Sequence, residues 1–273
     1  MARANAVDSA GDKSSVWAFD FDGVICDSVG ESSVSAWKAA TKLWPDIFSS
    51  SDASARKEHI LKDMEYVRPV VETGYENLVQ IRCLLEGVSP DKILNDWHTV
   101  LPEYMQKWGV ERAKLVELFG GTRDEWMASD LKGWLHMNRF YPNAPELLQH
   151  TIDQHETYIV TTKQARFTHS LLNEMAGVPF SQDRIYSTAE TGQPKSAVLT
   201  MLQERHPDRQ YHFVEDKLGT LDKVCKVAEL DHWHLYLVDW GYNTEQERST
   251  AGKNKRISVV NMERLQKAAE LTA

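Results

Sequence analysis

The sequence has 273 residues, 31 basic and 40 acidic side chains, and a formal net charge of −9. This length allows one large domain or two smaller ones, and the acidic balance excludes proteins that bind nucleic acid or anionic membranes through a broad positive field. No apolar stretch approaches the roughly 18 residues of a membrane-spanning helix. Three distant cysteines without a CxxC pair favour a reducing compartment such as the cytoplasm.

The first 15 residues are small and polar and lack the apolar centre of a secretory signal, so we interpret them as a disordered lead-in. The chain then alternates between short apolar runs typical of buried strands and segments with helical periodicity. This alternation predicts an α/β fold, in which a Rossmann-like parallel sheet is covered by helices on both faces. The predicted strands are 16–19, 158–161, 211–214, 234–238 and 257–260, and the predicted helices are 144–154, 168–176, 196–205 and 218–230.

Residues 30–137 interrupt this alternation, because they show helical periodicity almost throughout and contain no persuasive strand. Helix starts are indicated at Ser51 and at Pro90, since a small polar residue or a proline suits the first turn. The many tryptophans of this segment are interpreted as core packing rather than as a surface that stacks on a ligand. We therefore expect an all-helical cap at 30–137, inserted into an α/β core formed by 16–29 and 138–273.

Two carboxylates, Asp20 and Asp22, directly follow the first predicted strand. If the strand geometry continues, a period of two places both on one face, with Phe21 on the other. One carboxylate could then attack an electrophile while the other carries a proton. Gly23 has no Cβ and would allow the backbone to approach another group closely. By itself this pattern fits a solvated acidic loop equally well, so its meaning depends on the other strand ends.

Further polar residues stand at the ends of predicted strands or at helix starts. Thr161 and Thr162 end the second core strand, where hydroxyls and free backbone N–H groups suit phosphate oxygens. Lys195 follows a Gly-Gln-Pro turn and begins a helix, so its ammonium group can face an anion. Glu215-Asp216 ends the next strand. Acid, hydroxyl, lysine and acid in this order indicate an anion site at one edge of the sheet.

These residues resemble the motifs of the haloacid dehalogenase superfamily, in particular its phosphatases with a helical cap inserted after the first motif. Asp20-Phe21-Asp22-Gly23-Val24 is similar to the signature DxDx[T/V], and Thr161, Lys195 and Glu215-Asp216 are similar to the second, third and fourth motifs. Trp240-Gly241-Tyr242 resembles a late loop of phosphoglycolate phosphatases. The resemblance covers residues 16–260. The fourth motif departs from the common pattern, because Glu215 stands in place of a glycine and Thr220 in place of an aspartate.

The resemblance implies a magnesium-dependent phosphatase that hydrolyses a small phosphorylated metabolite, a phosphomonoester, through an aspartyl-phosphate intermediate. Asp20 would be the nucleophile, Asp22 the general acid and base, and Thr161 and Lys195 their catalytic partners. Asp20, Asp22 through its backbone carbonyl, and Asp216 would hold Mg²⁺, a hard cation that prefers oxygen ligands. The residues expected to contact the substrate are Phe21, Gly23, Thr162 and Arg68.

Several alternatives remain open from the sequence. Lys163 competes with Lys195 for the phosphate, and we prefer Lys195 because it begins a helix after a Gly-Gln-Pro turn. A phosphosugar mutase would share Asp-Gly-Val-Ile and would isomerise its substrate rather than release phosphate. A catalytically silent binding protein on the same fold would release phosphate from no monoester. Glu215 and Asp222, near the fourth motif, are left without an assigned role, and no motif indicates the physiological substrate or the oligomeric state.

Overall fold

The fold is built on a parallel sheet within residues 15–272, the part of the chain that the computed structural model describes. The strands in chain order are Ser15–Phe19 (β1), Cys26–Asp27 (β2), Arg139–Phe140 (β3), Glu156–Thr161 (β4), Ile185–Ser187 (β5), Gln210–Glu215 (β6), Trp233–Val238 (β7) and Ile257–Val260 (β8). Six of them form the parallel sheet in the spatial order β5-β4-β1-β6-β7-β8. The short strands β2 and β3 pair with each other in antiparallel fashion.

Helices fill most of the remaining chain. Between β2 and β3 they are Val29–Leu43 (α1), Pro45–Phe48 (α2), Ser51–Val67 (α3), Glu76–Leu85 (α4), Pro90–Trp108 (α5) and Arg112–His136 (α6). After β3 they are Ala144–Gln154 (α7), Ala165–Ser170 (α8), Thr188–Thr191 (α9), Lys195–Arg205 (α10), Leu218–Cys225 (α11), Glu245–Ala251 (α12) and Met262–Glu270 (α13). A π-helical segment, Leu171–Ala176, continues α8, and short 3₁₀ turns occur at Arg68–Val70, Gln182–Arg184 and Ala228–Leu230.

The central strand β1 is buried on both faces. Trp17 and Phe19 belong to one hydrophobic cluster, whereas Val16 and Ala18 belong to a second cluster on the opposite face of the sheet. Alternate side chains of a strand point to opposite faces, so a central parallel strand needs apolar residues at every position. The two clusters confirm the predicted α/β fold with helices on both sides of a parallel sheet.

All five predicted strands occur in the sheet, and the sequence missed only its short edge strand β5 among the described residues. β1 begins one residue earlier than predicted, at Ser15, whose hydroxyl lies 2.7 Å from His155 Nδ1. The rest of the expected lead-in, residues 1–14, lies outside the described residues. The helix predicted at 218–230 is shorter than expected, because α11 ends at Cys225 and only a 3₁₀ turn follows.

The helices α1–α6 share a hydrophobic cluster of their own, which includes Trp37, Ile60 and Leu78. Their tryptophans Trp37 and Trp97 pack in or against this cluster, as the sequence indicated. Two of the helices have serine N-caps next to the predicted starts: the Ser50 hydroxyl accepts from Ala53 N–H and the Ser89 hydroxyl from Lys92 N–H. Among the described residues, no helix is long and apolar enough to cross a membrane.

Candidate active site

The carboxyl ends of neighbouring strands meet where the sequence predicted an anion site. β1 lies between β4 and β6, and the Asp20 N–H donates to the Val214 carbonyl at 2.8 Å. Because parallel strands end at the same edge of a sheet, the residues that follow them are brought together. A cavity of about 650 Å³ opens at this edge. Its charged lining comprises Asp20, Asp22, Arg68, Glu72, Lys195, Glu215, Asp216, Lys217, Lys223 and Glu247.

Asp20 is buried and pairs with Lys195. The Lys195 Nζ lies 3.0 Å from Asp20 Oδ2 and 2.7 Å from Glu215 Oε2. Burial raises the pKa of Asp20 above its ordinary value, although the Lys195 charge opposes this effect. Burial also raises the pKa of Glu215 well above its ordinary value. Asp216 lies beside these two carboxylates, and a bound cation would relieve the repulsion among the three negative charges.

Two glycines allow Asp216 to approach the loop that carries Asp20. A Cβ at Gly23, where φ is +87°, would lie 2.0 Å from Asp216 Oδ2. A Cβ at Gly241 would lie 2.4 Å from the Asp216 Cβ and 2.5 Å from the Gly23 carbonyl oxygen. The Tyr242 N–H donates to Asp216 Oδ2 at 2.8 Å. Any larger residue at either glycine would therefore clash with Asp216.

The carboxylates of Asp20, Glu215 and Asp216 form a group that fits a divalent cation. One oxygen of each lies within 4.8 Å of the others, and all three residues are buried. A donor set made only of oxygen suits Mg²⁺, so the residues present are compatible with the metal expected from the sequence. The side chain of Asp22 instead forms an ion pair with Lys163. Asp22 could therefore bind a cation through its backbone carbonyl oxygen.

Asp22 is paired with a second lysine, Lys163. The Lys163 Nζ lies 3.0 Å from Asp22 Oδ1 and 3.9 Å from Glu31 Oε2. Burial would raise the pKa of Asp22, but the charges of Lys163 and Arg68 outweigh it and lower the pKa below its ordinary value. Asp20 and Asp22 therefore have separate cationic partners, and their pKa values are displaced in opposite directions.

Next to Lys163 lies a buried ion pair between α1 and α6. Arg123 donates two hydrogen bonds of 2.7 Å to the Glu31 carboxylate, and the Ser35 hydroxyl donates a third of 2.6 Å. Although burial opposes it, the Arg123 charge lowers the pKa of Glu31. Charged groups thus run in series from Asp22 through Lys163 and Glu31 to Arg123, and they connect the strand-end loop to the helical segment.

The predicted residues Thr161, Thr162 and Phe21 lie in different surroundings. Thr162 lines the cavity, whereas Thr161 is completely buried at the end of β4, where its hydroxyl accepts from Lys163 N–H at 3.1 Å. The side chain of Phe21 packs in the hydrophobic core, edge-on to Phe140. This side chain therefore points away from the carboxylates, as the alternation of the strand predicted, so a contact between Phe21 and the substrate stays a prediction for its backbone only.

Arg68 reaches the cavity from the helical segment. It lies in the 3₁₀ turn after α3, and its guanidinium carbon is 3.9 Å from the centroid of the Tyr242 ring. Its Nε is buried and has no hydrogen-bond partner among the described residues. Arg68 also adds positive charge near Asp22 and Asp216. The sequence singled out this arginine, and the structure brings it to the cavity wall.

The segment after Arg68 is tied to the α/β core on two sides. The Lys217 ammonium group donates to the Pro69 carbonyl, and the Thr162 hydroxyl donates to the Glu72 carbonyl at 3.2 Å. Burial lowers the pKa of Lys217. These contacts fix one wall of the cavity, formed by the helical segment, against the loops that follow β4 and β6.

Sequence reasoning missed Glu31, Arg123 and Lys217 at this site. Helical periodicity identifies apolar faces, so a charged residue on a buried helix face is assigned to the surface by default. Lys163 was noticed only as a competitor for phosphate, and the structure pairs it with Asp22 instead. Its position two residues after Thr161 was the available signal, because a side chain there can reach the neighbouring strand end.

Comparison with known proteins identifies solved structures that have a similar fold. No protein-family model matches the chain, and neither does any curated protein. A predicted phosphatase from Clostridium acetobutylicum has a TM-score of 0.57 at 15% identity, covering 94% of this chain and 99% of its own. A haloacid dehalogenase-like hydrolase from Streptococcus pneumoniae has a TM-score of 0.53 at 12% identity, with coverage of 95% and 99%. A predicted phosphoglycolate phosphatase from Haemophilus somnus has a TM-score of 0.54 at 15% identity, with coverage of 94% and 97%. The chain therefore has the fold of haloacid dehalogenase-like phosphatases over nearly its whole length, as its motifs predicted.

Proposed function

We propose that this protein is a magnesium-dependent phosphatase, which hydrolyses a small phosphomonoester through an aspartyl-phosphate intermediate on Asp20. The observation that carries the proposal is the separate pairing of the two strand-end carboxylates, Asp20 with Lys195 and Asp22 with Lys163, each at 3.0 Å. Neighbouring carboxylates in different environments can divide nucleophilic and proton-transfer roles. A merely solvated acidic loop would not require two buried lysines.

In the proposed first step, a carboxylate oxygen of Asp20 attacks phosphorus, and the bond from phosphorus to the leaving oxygen breaks. Asp22 donates a proton to that oxygen, so that an alcohol leaves rather than an alkoxide. In the second step, Asp22 takes a proton from a water molecule, whose oxygen attacks phosphorus and releases orthophosphate from Asp20. Both carboxylates return to their starting states, and one monoester and one water give one alcohol and one orthophosphate.

The charges around Asp22 support the second step directly. Burial is outweighed by the charges of Lys163 and Arg68, which lower the pKa of Asp22 and hold it as a base. The first step needs protonated Asp22, and the negative charge of a bound phosphate favours that form. Lys195, next to Asp20, would neutralise charge that develops on the phosphate oxygens.

Mg²⁺ would be held by Asp20, Asp216 and the backbone carbonyl of Asp22. When bound, it would supply positive charge that stabilises the phosphate oxygens and eases attack by a carboxylate. Gly23 and Gly241 would make this metal site possible, because they leave room for Asp216 beside the loop that carries Asp20.

We further propose that residues 30–137 act as the cap and select the monoester. Arg68 supports this role, because it lines the cavity and its buried Nε lacks a hydrogen-bond partner among the described residues. Thr162, which lines the cavity, would contact the phosphate, whereas the Gly23 N–H already donates to the Cys26 carbonyl. Thr161 would hold the adjoining loop through the Lys163 N–H. A cavity of about 650 Å³ leaves room for a leaving group of several carbon atoms.

The test is a phosphate-release assay over a panel of monoesters. The panel includes phosphoglycolate, because one solved structure with this fold is described as a phosphoglycolate phosphatase. We expect release with Mg²⁺, none with EDTA, and a loss of at least about 1,000-fold for Asp20→Asn. Asp153→Asn, an exposed carboxylate on α7, is the matched control and should keep full activity.

Each other outcome identifies a different function. Full activity of Asp20→Asn would contradict the mechanism. An isomerised phosphosugar in place of orthophosphate would identify a mutase. No turnover of any monoester, with or without Mg²⁺, would favour a binding protein.

A further inference from the structure

Glu215 is completely buried, and its carboxylate is engaged by the chain itself. Its Oε1 accepts hydrogen bonds from the N–H groups of Asp216 and Lys217, both at 3.1 Å. Its Oε2 accepts from Lys195 Nζ at 2.7 Å. A carboxylate offers about four lone-pair sites, so most of the capacity of Glu215 is already used.

Lys195 depends on this contact. Its Nζ lies between Glu215 Oε2 and Asp20 Oδ2, and its side chain is only 8% exposed. An ammonium group removed from water needs charged partners to stay in place. The contact with Glu215 is the shorter of the two. We therefore expect Glu215 to fix the position of the Lys195 ammonium group relative to Asp20.

Glu215 and Asp216 differ in the oxygens that they leave for a cation. Asp216 uses Oδ2 for the Tyr242 N–H, and its Oδ1 makes no hydrogen bond with any described residue. A cation on Oε2 of Glu215 would share that oxygen with the Lys195 ammonium group, and like charges so close repel each other.

We propose that Glu215 is a positioning residue and not a metal ligand, although its carboxylate lies within reach of the metal site. Its Oε2 holds the Lys195 ammonium group next to Asp20. Its Oε1 accepts hydrogen bonds from the backbone of the loop that carries Asp216 and so fixes the position of that loop. Asp20 and Asp216 then supply the side-chain ligands. The effect of Glu215 on turnover rests on the phosphatase function proposed above, whereas the assignment of metal ligands does not.

The metal assignment is tested with Mn²⁺ on the full chain, without substrate. Broadening of the EPR signal in H₂¹⁷O counts the water molecules bound to Mn²⁺. We expect Asp216→Ala to gain a bound water where the carboxylate is lost, and Glu215→Ala to keep the wild-type number. If Glu215→Ala does not fold, Glu215→Leu, which fills similar space and cannot bind a metal, replaces it. A gained water in the Glu215 variant would overturn the proposal.

The positioning role is tested by combining Glu215→Leu with Lys195→Met. We expect Glu215→Leu alone to lower kcat by about 100-fold, and by less than about 3-fold when Lys195 is already absent. A purely structural defect would lower kcat equally in both backgrounds, and that result would overturn the proposal. If no monoester is turned over, the same four proteins are compared by calorimetry for orthophosphate binding in the presence of Mn²⁺. Absent turnover then counts only against the proposed function.

Discussion

Lys163 and Asp22 form an ion pair of 3.0 Å in which the lysine side chain is only 1% exposed. Asp20, on the same loop as Asp22, forms a corresponding ion pair with Lys195, the first residue of α10. Each of these lysines also lies near a completely buried glutamate, Glu31 for Lys163 and Glu215 for Lys195. The two carboxylates at the end of β1 are therefore held by two independent sets of charges, one of which extends into the helical segment.

Removal of the Lys163 charge should change the pH dependence of turnover. Burial alone raises the pKa of Asp22, and Lys163 is the strongest of the charges that lower it. In Lys163→Met the strongest charge that opposes burial is lost, so the pKa of Asp22 rises and Asp22 loses its base form at a higher pH as the solution is acidified. We expect the acidic limb of the kcat profile to move to higher pH and kcat at neutral pH to fall by roughly 100-fold. Lys226→Met, at an exposed position, should leave the profile unchanged. An unshifted profile in Lys163→Met would show that the pair does not set the protonation of Asp22.

The Glu31–Arg123 pair should contribute strongly to stability only as long as both partners are present. Arg123→Met leaves the carboxylate of Glu31 buried without its bidentate partner, which should lower the free energy of unfolding by about 3–5 kcal/mol. Adding Glu31→Gln removes the stranded charge and should recover much of that loss. Urea denaturation of the two single variants and the double variant measures the coupling. Additive losses would mean that the two side chains act independently.

Gly23 should be essential for a reason that is steric as well as conformational. In Gly23→Ala the new Cβ meets Asp216 Oδ2 at 2.0 Å, in addition to the strain of a φ of +87°. We expect a loss of activity of at least about 100-fold and weaker Mn²⁺ binding. Gly177→Ala is the matched control, because Gly177 also has a positive φ of +66° but has open space around it. Calorimetric titration with Mn²⁺ compares the two variants, and unchanged Mn²⁺ binding by Gly23→Ala would contradict the prediction.

Arg68 should affect substrate binding more than the chemical step. Its guanidinium group stacks on Tyr242 and carries a buried Nε without a partner among the described residues. Arg68→Met should raise KM by roughly 10- to 100-fold and change kcat by less than about 5-fold. Arg264→Met, on an exposed face of α13, should change neither. A large fall in kcat with KM unchanged would instead place Arg68 in the chemical step.

His212, which does not line the cavity, should make the protein less stable in acid. It stacks on Trp17 with 4.2 Å between ring centroids, and burial lowers its pKa from 6.5 to about 3. As pH falls through 6.5, His212 becomes protonated in the unfolded chain but stays neutral in the folded protein. The free energy of unfolding therefore declines until about pH 3, where the folded protein also binds the proton. Between pH 7 and 5 the wild type should lose about 2 kcal/mol more than His212→Phe. Urea unfolding at the two pH values measures this, and equal losses would contradict the prediction.

The sheet was predictable because its central strands obey simple rules. Val16 to Phe19 are apolar at every position, as burial on both faces requires, and acidic residues mark where the strand ends. The residues after successive strands then had to meet at one edge, which places Asp20, Lys195 and Asp216 around one cavity. Strand β5 escaped detection because three residues are too few to show a period.

The site was less predictable where function depends on buried charge. Glu31 and Arg123 are 0% and 6% exposed, yet their sequence gives no sign that they form a pair 92 residues apart. Lys163 and Lys195 could not be assigned to their carboxylates, because the choice depends on side-chain directions at two different strand ends. The direction of the Phe21 side chain was predictable, because the alternation of the strand turns it toward the core.

The position of β1 at the centre of the sheet has a consequence for synthesis. β1 is made first, but its partners β4 and β6 begin at Glu156 and Gln210. At bacterial to eukaryotic elongation rates the ribosome needs on the order of ten seconds to reach β4, and longer to reach β6. In that interval the helical segment can collapse around its own hydrophobic cluster. The apolar strand β1 remains unpaired during this time, so it can bind chaperones or aggregate. Asp20 is thus translated well before Lys195 and Asp216, the residues that complete the cavity around it.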